Sequence, residues 1–95
     1  MENQKFIIRC DRAGVFYAEI ESRQGDEANL RNARRLWYWD GAASLSQLAQ
    51  EGVKRPRNCK FTVTVPNMTV LGVIEVIPCT EDAVRSIEAV TEWKI

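Results

Sequence analysis

KFTVTVPNMTVLGVIEVIP, residues 60–78, contains the two clearest β-strands of the chain. Residues 60–66 and 69–78 are rich in Val, Ile and Thr, whose branched side chains suit a pleated sheet. The Pro-Asn pair at 66–67 predicts a tight turn between the two strands. This stretch therefore indicates a fold that is built on a β-sheet.

The sequence before this stretch continues the pattern of short strands. Residues 5–10 are apolar and β-branched, and residues 15–22 alternate between apolar and polar side chains, which is typical of a half-buried strand. The alternation places three apolar residues on one face: Phe16, Ala18 and Ile20. Residues 28–39 predict a third strand and leave open a fourth, and the turns between these segments favour an antiparallel meander.

Two short helices complete the predicted elements. Ser44 is the expected N-cap of the first helix, with Gln47 three residues later, and Gly52 is its expected end. The second helix is expected to begin after Thr80, with its apolar residues on one face: Ala83, Val84, Ile87 and Val90. We therefore predict a single α+β domain over residues 1–95, a small and mostly antiparallel β-sheet with two short helices.

Length and cysteine content set bounds on this domain. A chain of 95 residues buries a small core, so additional stabilisation from oligomerisation is expected. The three cysteines are odd in number and lack metal-binding spacing: Cys10, Cys59 and Cys79. They predict free thiols in a reducing compartment. No apolar run approaches the length that spans a membrane, and residues 1–10 lack the pattern of a secretory signal.

The charge is neutral overall but uneven along the chain. Residues 31–60 carry seven basic and two acidic side chains, a net charge of +5, whereas the segments on either side are acidic. A neutral protein is a poor general binder of long nucleic acid, although a basic segment can hold one or two phosphates. The chain has no His, no phosphate-binding glycine motif and no metal-binding cysteine pattern. We expect no enzyme activity, no cofactor and no metal site.

NARRLWYWDGAASLSQLAQEG, residues 32–52, is the best candidate for a binding site. If residues 34–39 are extended, alternation places three candidate ligand contacts on one face: Arg35, Trp37 and Trp39. Leu36 and Tyr38 are then expected to pack inward. Two indoles beside a guanidinium suit a planar ligand with a phosphate. We expect Arg34 or Arg35 to pair with that phosphate, and the alternation favours Arg35.

The residues after these aromatic side chains add to the predicted site. Gly41 begins a run of small residues that would let a ligand approach the main chain, and Ser44 and Ser46 offer hydroxyl groups. The run ends at a helix N-terminus, whose free N–H groups favour an anion. The structural alternative stays open here: the tryptophans would be core residues, and Ser44 would only cap the helix.

Four stretches resemble a widespread family of short proteins encoded by phages and prophages. They are AGVF at 13–16, NARRLWYWDGAASLSQLA at 32–49, CKF at 59–61 and VIEVIPCTEDAVRSI at 73–87. This family is similar to the phage anti-defence sponges of the anti-CBASS type. The resemblance implies a non-catalytic homo-oligomer, such as a tetramer, that acts in the cytoplasm of the host bacterium.

The resemblance also implies the ligand, a cyclic dinucleotide immune signal such as cyclic GMP–AMP, which a sponge binds without cleaving it. It carries over no individual ligand contact, so the residue roles above come from the sequence pattern. A second function stays open, in which the Trp and Arg side chains form an oligomer or host-partner interface and no small ligand is bound. Trp, Tyr and Arg also dominate protein interfaces, so composition does not separate the two.

Overall fold

The computed structural model describes residues 3–95 and confirms the predicted small α+β fold. It has five strands and two helices, in the order β1 (Phe6–Cys10), β2 (Gly14–Gln24), β3 (Glu27–Tyr38), α1 (Leu45–Glu51), β4 (Lys60–Val70), β5 (Val73–Pro78) and α2 (Glu81–Glu88). A single 3₁₀ turn, Pro56–Asn58, precedes β4. No helix within the described residues is long and apolar enough to cross a membrane.

The five strands form one antiparallel sheet in the order β4-β3-β2-β1-β5. The two edge strands are consecutive in the chain and are joined by only Leu71 and Gly72. Three Cα–Cα steps reach at most about 11 Å, whereas the edges of a flat five-stranded sheet lie about 19 Å apart. The sheet is therefore strongly curled, so that the end of β4 approaches the start of β5.

The predicted turn at Pro66–Asn67 is wrong. Both residues lie inside β4, which continues to Val70, and β4 pairs only with β3 in the sheet. Proline is tolerated here because an edge strand does not need every N–H for pairing. Residues 27–38 form one long strand, β3, and not two.

The curled sheet buries side chains on both faces. On one face it packs under the two helices, with Phe61, Leu48 and Ile87 at the centre of that core. The opposite, concave face holds a second core around Phe16 and Leu30. Ala18 lies in this second core and Ile20 packs against it, as the alternation predicted.

The helix boundaries follow the predicted capping residues. Ser44 Oγ accepts a hydrogen bond from the Gln47 N–H at 3.2 Å, and Thr80 Oγ1 accepts one from the Ala83 N–H at 3.1 Å. Gly52 ends α1 with φ = +77°, a conformation that glycine adopts without strain. These caps fix the positions at which both helices start to cover the sheet.

Candidate functional site

Arg34 is a buried structural residue. Its guanidinium donates hydrogen bonds to four main-chain carbonyl oxygens: Thr62 at 2.8 Å, Phe61 at 3.4 Å, Ile87 at 2.9 Å and Val90 at 2.6 Å. Burial lowers the pKa of Arg34 from its ordinary value. All three guanidinium nitrogens therefore bind the protein itself, and Arg34 lines a cavity beside Tyr17 and Glu88 and not the groove described next.

Arg35, the next residue, is exposed and lies beside a groove. Its guanidinium lies over the Phe16 ring, 4.9 Å from the ring centroid, and its main-chain N–H donates to Thr62 Oγ1 at 3.1 Å. The groove has a volume of about 650 Å³, and both the β1–β2 turn and the β4–β5 connection line it. Its larger apolar lining residues are Met68, Val70 and Leu71. We call it the Arg35 groove.

The charge of the Arg35 groove comes from three side chains. Arg12 and Arg35 line it, and neither forms an ion pair within residues 3–95. Asp11 also lines the groove, where its main-chain N–H donates to the Gly72 carbonyl at 2.7 Å. The resulting net charge of +1 and the apolar wall suit an anion that carries a flat or apolar body.

Trp37 stacks on Trp93 near the C-terminus. The ring centroids are 6.2 Å apart with an interplanar angle of 13°, and the two residues are 63% and 46% exposed. Lys60 Nζ lies 5.5 Å from the Trp93 ring centroid, and Arg57 lines a shallow pocket with Trp93. We call Trp37, Trp93, Lys60 and Arg57 the aromatic patch.

The predicted alternation fails after Leu36, which is buried as expected. Leu36 pairs with Phe61 and Tyr38 pairs with Lys60, so Trp37 is the extra residue of a β-bulge. A bulge interrupts the alternation and redirects side chains. Tyr38 is therefore 51% exposed and does not pack inward, whereas Trp39 packs against the helix-side core.

The chain turn after β3 is fastened to the segment before β4. The Asp40 carboxylate accepts hydrogen bonds from the Arg55 guanidinium at 2.7 Å and from Asn58 Nδ2 at 3.0 Å. These bonds, led by the one from Asn58, lower the pKa of Asp40. Gly41 adopts φ = +97°, and a Cβ there would lie 2.4 Å from the Lys54 main-chain nitrogen. The close approach at Gly41 is therefore made by the chain itself.

The predicted hydroxyl contacts lie apart from both surfaces. Ser44 caps α1, and Gln47 Oε1 accepts a hydrogen bond from the Ala43 N–H at 2.7 Å, so protein groups already satisfy part of that helix end. Ser46 is exposed on the first turn of α1. Of the seven predicted site residues, only Arg35 lines the Arg35 groove and only Trp37 belongs to the aromatic patch.

Sequence reasoning missed a polar cluster between β2, β3 and α2. Tyr17 Oη donates to Glu88 Oε2 at 2.6 Å, and Lys5 Nζ donates to Glu19 Oε2 at 2.8 Å, which lowers the pKa of Glu19. Asn32 Nδ2 also donates to Glu19 Oε2, from a β-bulge with φ = +51°. The tolerance of Asn for positive φ was the only local signal. The groups satisfy one another, so this cluster supports the fold.

Sequence reasoning also missed Arg12, Met68 and Leu71 in the groove, and Lys60 and Trp93 in the patch. The three cysteines are unpaired and buried, and burial raises the pKa of each thiol. Within residues 3–95, no group of three His, Cys, Asp or Glu side chains is placed to hold a metal ion.

Comparison with known proteins gives one match. No curated protein and no solved structure matches the chain. A family model described as a domain of unknown function (DUF6948) matches residues 3–87, which include all five strands and most of α2. The chain therefore belongs to the DUF6948 family.

Proposed function

We propose that this protein is a phage anti-defence sponge that binds and sequesters a cyclic dinucleotide in the Arg35 groove. One observation carries the proposal: two exposed guanidinium groups that have no ion-pair partner among residues 3–95 line a groove of about 650 Å³. That volume lies within the range of about 300–1,000 Å³ that is usual for small-ligand pockets. The phage origin and the anti-CBASS role rest on the sequence resemblance.

The chemistry of the groove fits the two parts of such a ligand. Each guanidinium of Arg12 and Arg35 is able to hold a phosphate with two parallel hydrogen bonds, a geometry that lysine does not reproduce. Met68 and Leu71 offer apolar surface to the bases. Phe16 supports the Arg35 guanidinium from below, which reduces the side-chain entropy lost on binding.

A sponge acts by mass action and needs tight binding without turnover. A submicromolar dissociation constant corresponds to about −8 to −9 kcal/mol. Charged hydrogen bonds contribute about 1.5–3 kcal/mol each, so two bidentate phosphate contacts supply much of this energy before desolvation is subtracted. The protein is expected to act in the host bacterial cytoplasm as a homo-oligomer, as the resemblance implies.

The test is a thermal-shift and calorimetry panel of cyclic di- and trinucleotides. At least one cyclic dinucleotide should raise the melting temperature and be recovered uncleaved. Arg35→Ala should abolish most of the shift, Arg35→Lys should restore little of it, and Asp11→Asn should strengthen binding by removing a carboxylate from the groove. Arg23→Ala is the matched control, because Arg23 is an exposed cation outside the groove and forms no ion pair with any residue that the structure describes. Parent-like binding by Arg35→Ala would reject the proposal.

The alternative function expected from the sequence, a non-catalytic protein-interaction module, stays a prediction. It requires the aromatic patch to be a protein interface. In that case no cyclic nucleotide shifts the melting temperature, and Trp37→Ala changes the oligomer mass in light scattering. The sponge proposal expects a cyclic nucleotide to raise the melting temperature and Trp37→Ala to leave the oligomer mass unchanged.

A further inference from the structure

The aromatic patch is a rigid surface. The main-chain N–H of Trp93 donates to the Phe61 carbonyl at 2.8 Å. This bond joins the segment after α2 to the outer edge of β4. Trp93 therefore backs the ring of Trp37 from a fixed position. Trp37 is the more exposed of the two rings, so one aromatic face is presented to solvent in a defined orientation.

The cations near this face have no acidic partners. Within residues 3–95, Arg57 and Lys60 form no ion pair, although seven other basic side chains do. Glu92 lies in the same pocket but is paired with Lys94 at 3.8 Å. An anionic partner would therefore meet two charges that are not already neutralised.

Size and charge argue against a second copy of the chain as the occupant. At their observed exposures the two indoles offer at most about 270 Å², taking about 250 Å² as the most that one side chain buries. A stable protein interface needs about 800 Å² per partner. Two copies that met across a two-fold axis would also bring Lys60 and Arg57 against the same cations.

We propose that the aromatic patch binds single-stranded nucleic acid. One base stacks on the exposed face of Trp37, and the adjacent phosphates pair with Lys60 and Arg57. Exposed aromatic faces beside a basic surface are the usual means by which proteins hold single strands without reading their sequence. This site is separate from the Arg35 groove and does not depend on the proposed function.

The test measures fluorescence anisotropy of a labelled oligothymidylate of about ten nucleotides, long enough for a site of this kind. Trp37→Ala should weaken binding at least about fivefold, which matches the lower end of the stacking energies measured for single bases. Lys60→Gln should reduce the slope of log K against log salt by about 0.7. Ile74→Ala is the matched control, because Ile74 is 54% exposed and lies on β5, outside the aromatic patch.

Three results would overturn this proposal. The first is that folded Trp37→Ala protein binds the oligonucleotide like the parent. The second is that polyglutamate displaces the labelled strand as effectively as unlabelled oligonucleotide does. The third is that the parent is a dimer and Trp37→Ala dissociates it. The last two results would assign the patch to an acidic peptide and to a second copy, respectively. Arg35→Ala should bind the oligonucleotide like the parent, so failure of the cyclic dinucleotide panel and failure here are separate outcomes.

Discussion

Arg34 and Arg35 are adjacent in the sequence, and their substitution should have opposite effects. Arg34→Ala removes a guanidinium that donates to four buried or half-buried carbonyl oxygens on β4 and at the end of α2. Arg35→Ala removes an exposed side chain whose main contact within the protein is the Phe16 ring. The first change should reduce stability, and the second should chiefly reduce ligand binding.

The cost of Arg34→Ala follows from the bonds that are lost. A hydrogen bond from a charged donor contributes about 1.5–3 kcal/mol, and three of the four bonds are 2.9 Å or shorter. The contributions do not add fully, because water reaches part of the space left behind, so we expect a loss of about 4 kcal/mol. In a domain of this size that loss lowers the melting temperature by about 15–30 °C.

Urea denaturation and thermal melting of both variants provide the measurement. Arg34→Lys should stay destabilised, because one ammonium group does not span the four carbonyl oxygens. Arg35→Ala should cost no more than about 1 kcal/mol, the value of an exposed cation–π contact. A loss below about 1 kcal/mol for Arg34→Ala would refute the assignment of Arg34 as the link between the sheet and α2.

Three further predictions concern the packing of the fold. Gly41→Ala should destabilise the protein by about 1–3 kcal/mol more than Gly25→Ala in urea denaturation. A Cβ at Gly41 would meet the Lys54 backbone, whereas a Cβ at Gly25 meets nothing within 4 Å. Equal losses of stability would contradict this prediction. Burial raises the pKa of Cys79 to about 12, so the unfolded chain loses that proton first, and this thiol alone should lower the free energy of unfolding by about 1.4 kcal/mol per pH unit between about pH 9 and pH 12. Cys79→Ala should reduce the slope of stability against pH, and an unchanged slope would argue against a raised pKa at Cys79. Pro66→Val should increase self-association in light scattering, because it restores an N–H to the β4 edge; a monodisperse variant would show that this edge is protected by other means.

Local patterns were sufficient for much of the fold. Phe16 and Ala18 alternate with polar neighbours, and a strand with one buried face requires that period. Ser44 and Thr80 each cap a helix that begins at the next residue. The capping hydroxyl and the N–H that it accepts from therefore lie within one helical turn. The structure therefore confirms these predictions, each of which depends on residues close in sequence.

Predictions that depend on distant partners failed. Pro66 is typical of a turn, but its place on an edge strand depends on the order of the whole sheet. Alternation places Trp37 and Trp39 on one face, whereas the partner of Trp37 in the fold is Trp93, whose segment forms a bridge to β4. The carbonyl groups that surround the buried Arg34 guanidinium lie 27 to 56 residues away in the sequence. Alternation along β3 favours Arg35 for the exposed face, but no local pattern shows the four carbonyl oxygens that bind Arg34.

The return of β5 to pair with β1 sets the order in which the chain is able to fold. Phe6 pairs with Ala18, 12 residues away, and with Pro78, 72 residues away. Closing the longer loop costs about 1.6 kcal/mol more in chain entropy. We therefore expect the β2–β3 hairpin to be formed in the folding transition state and β5 with α2 to join after it. Substitutions in β5 should then change the unfolding rate and leave the refolding rate nearly constant, and during synthesis the free edge of β1 stays open until nearly the whole chain has emerged.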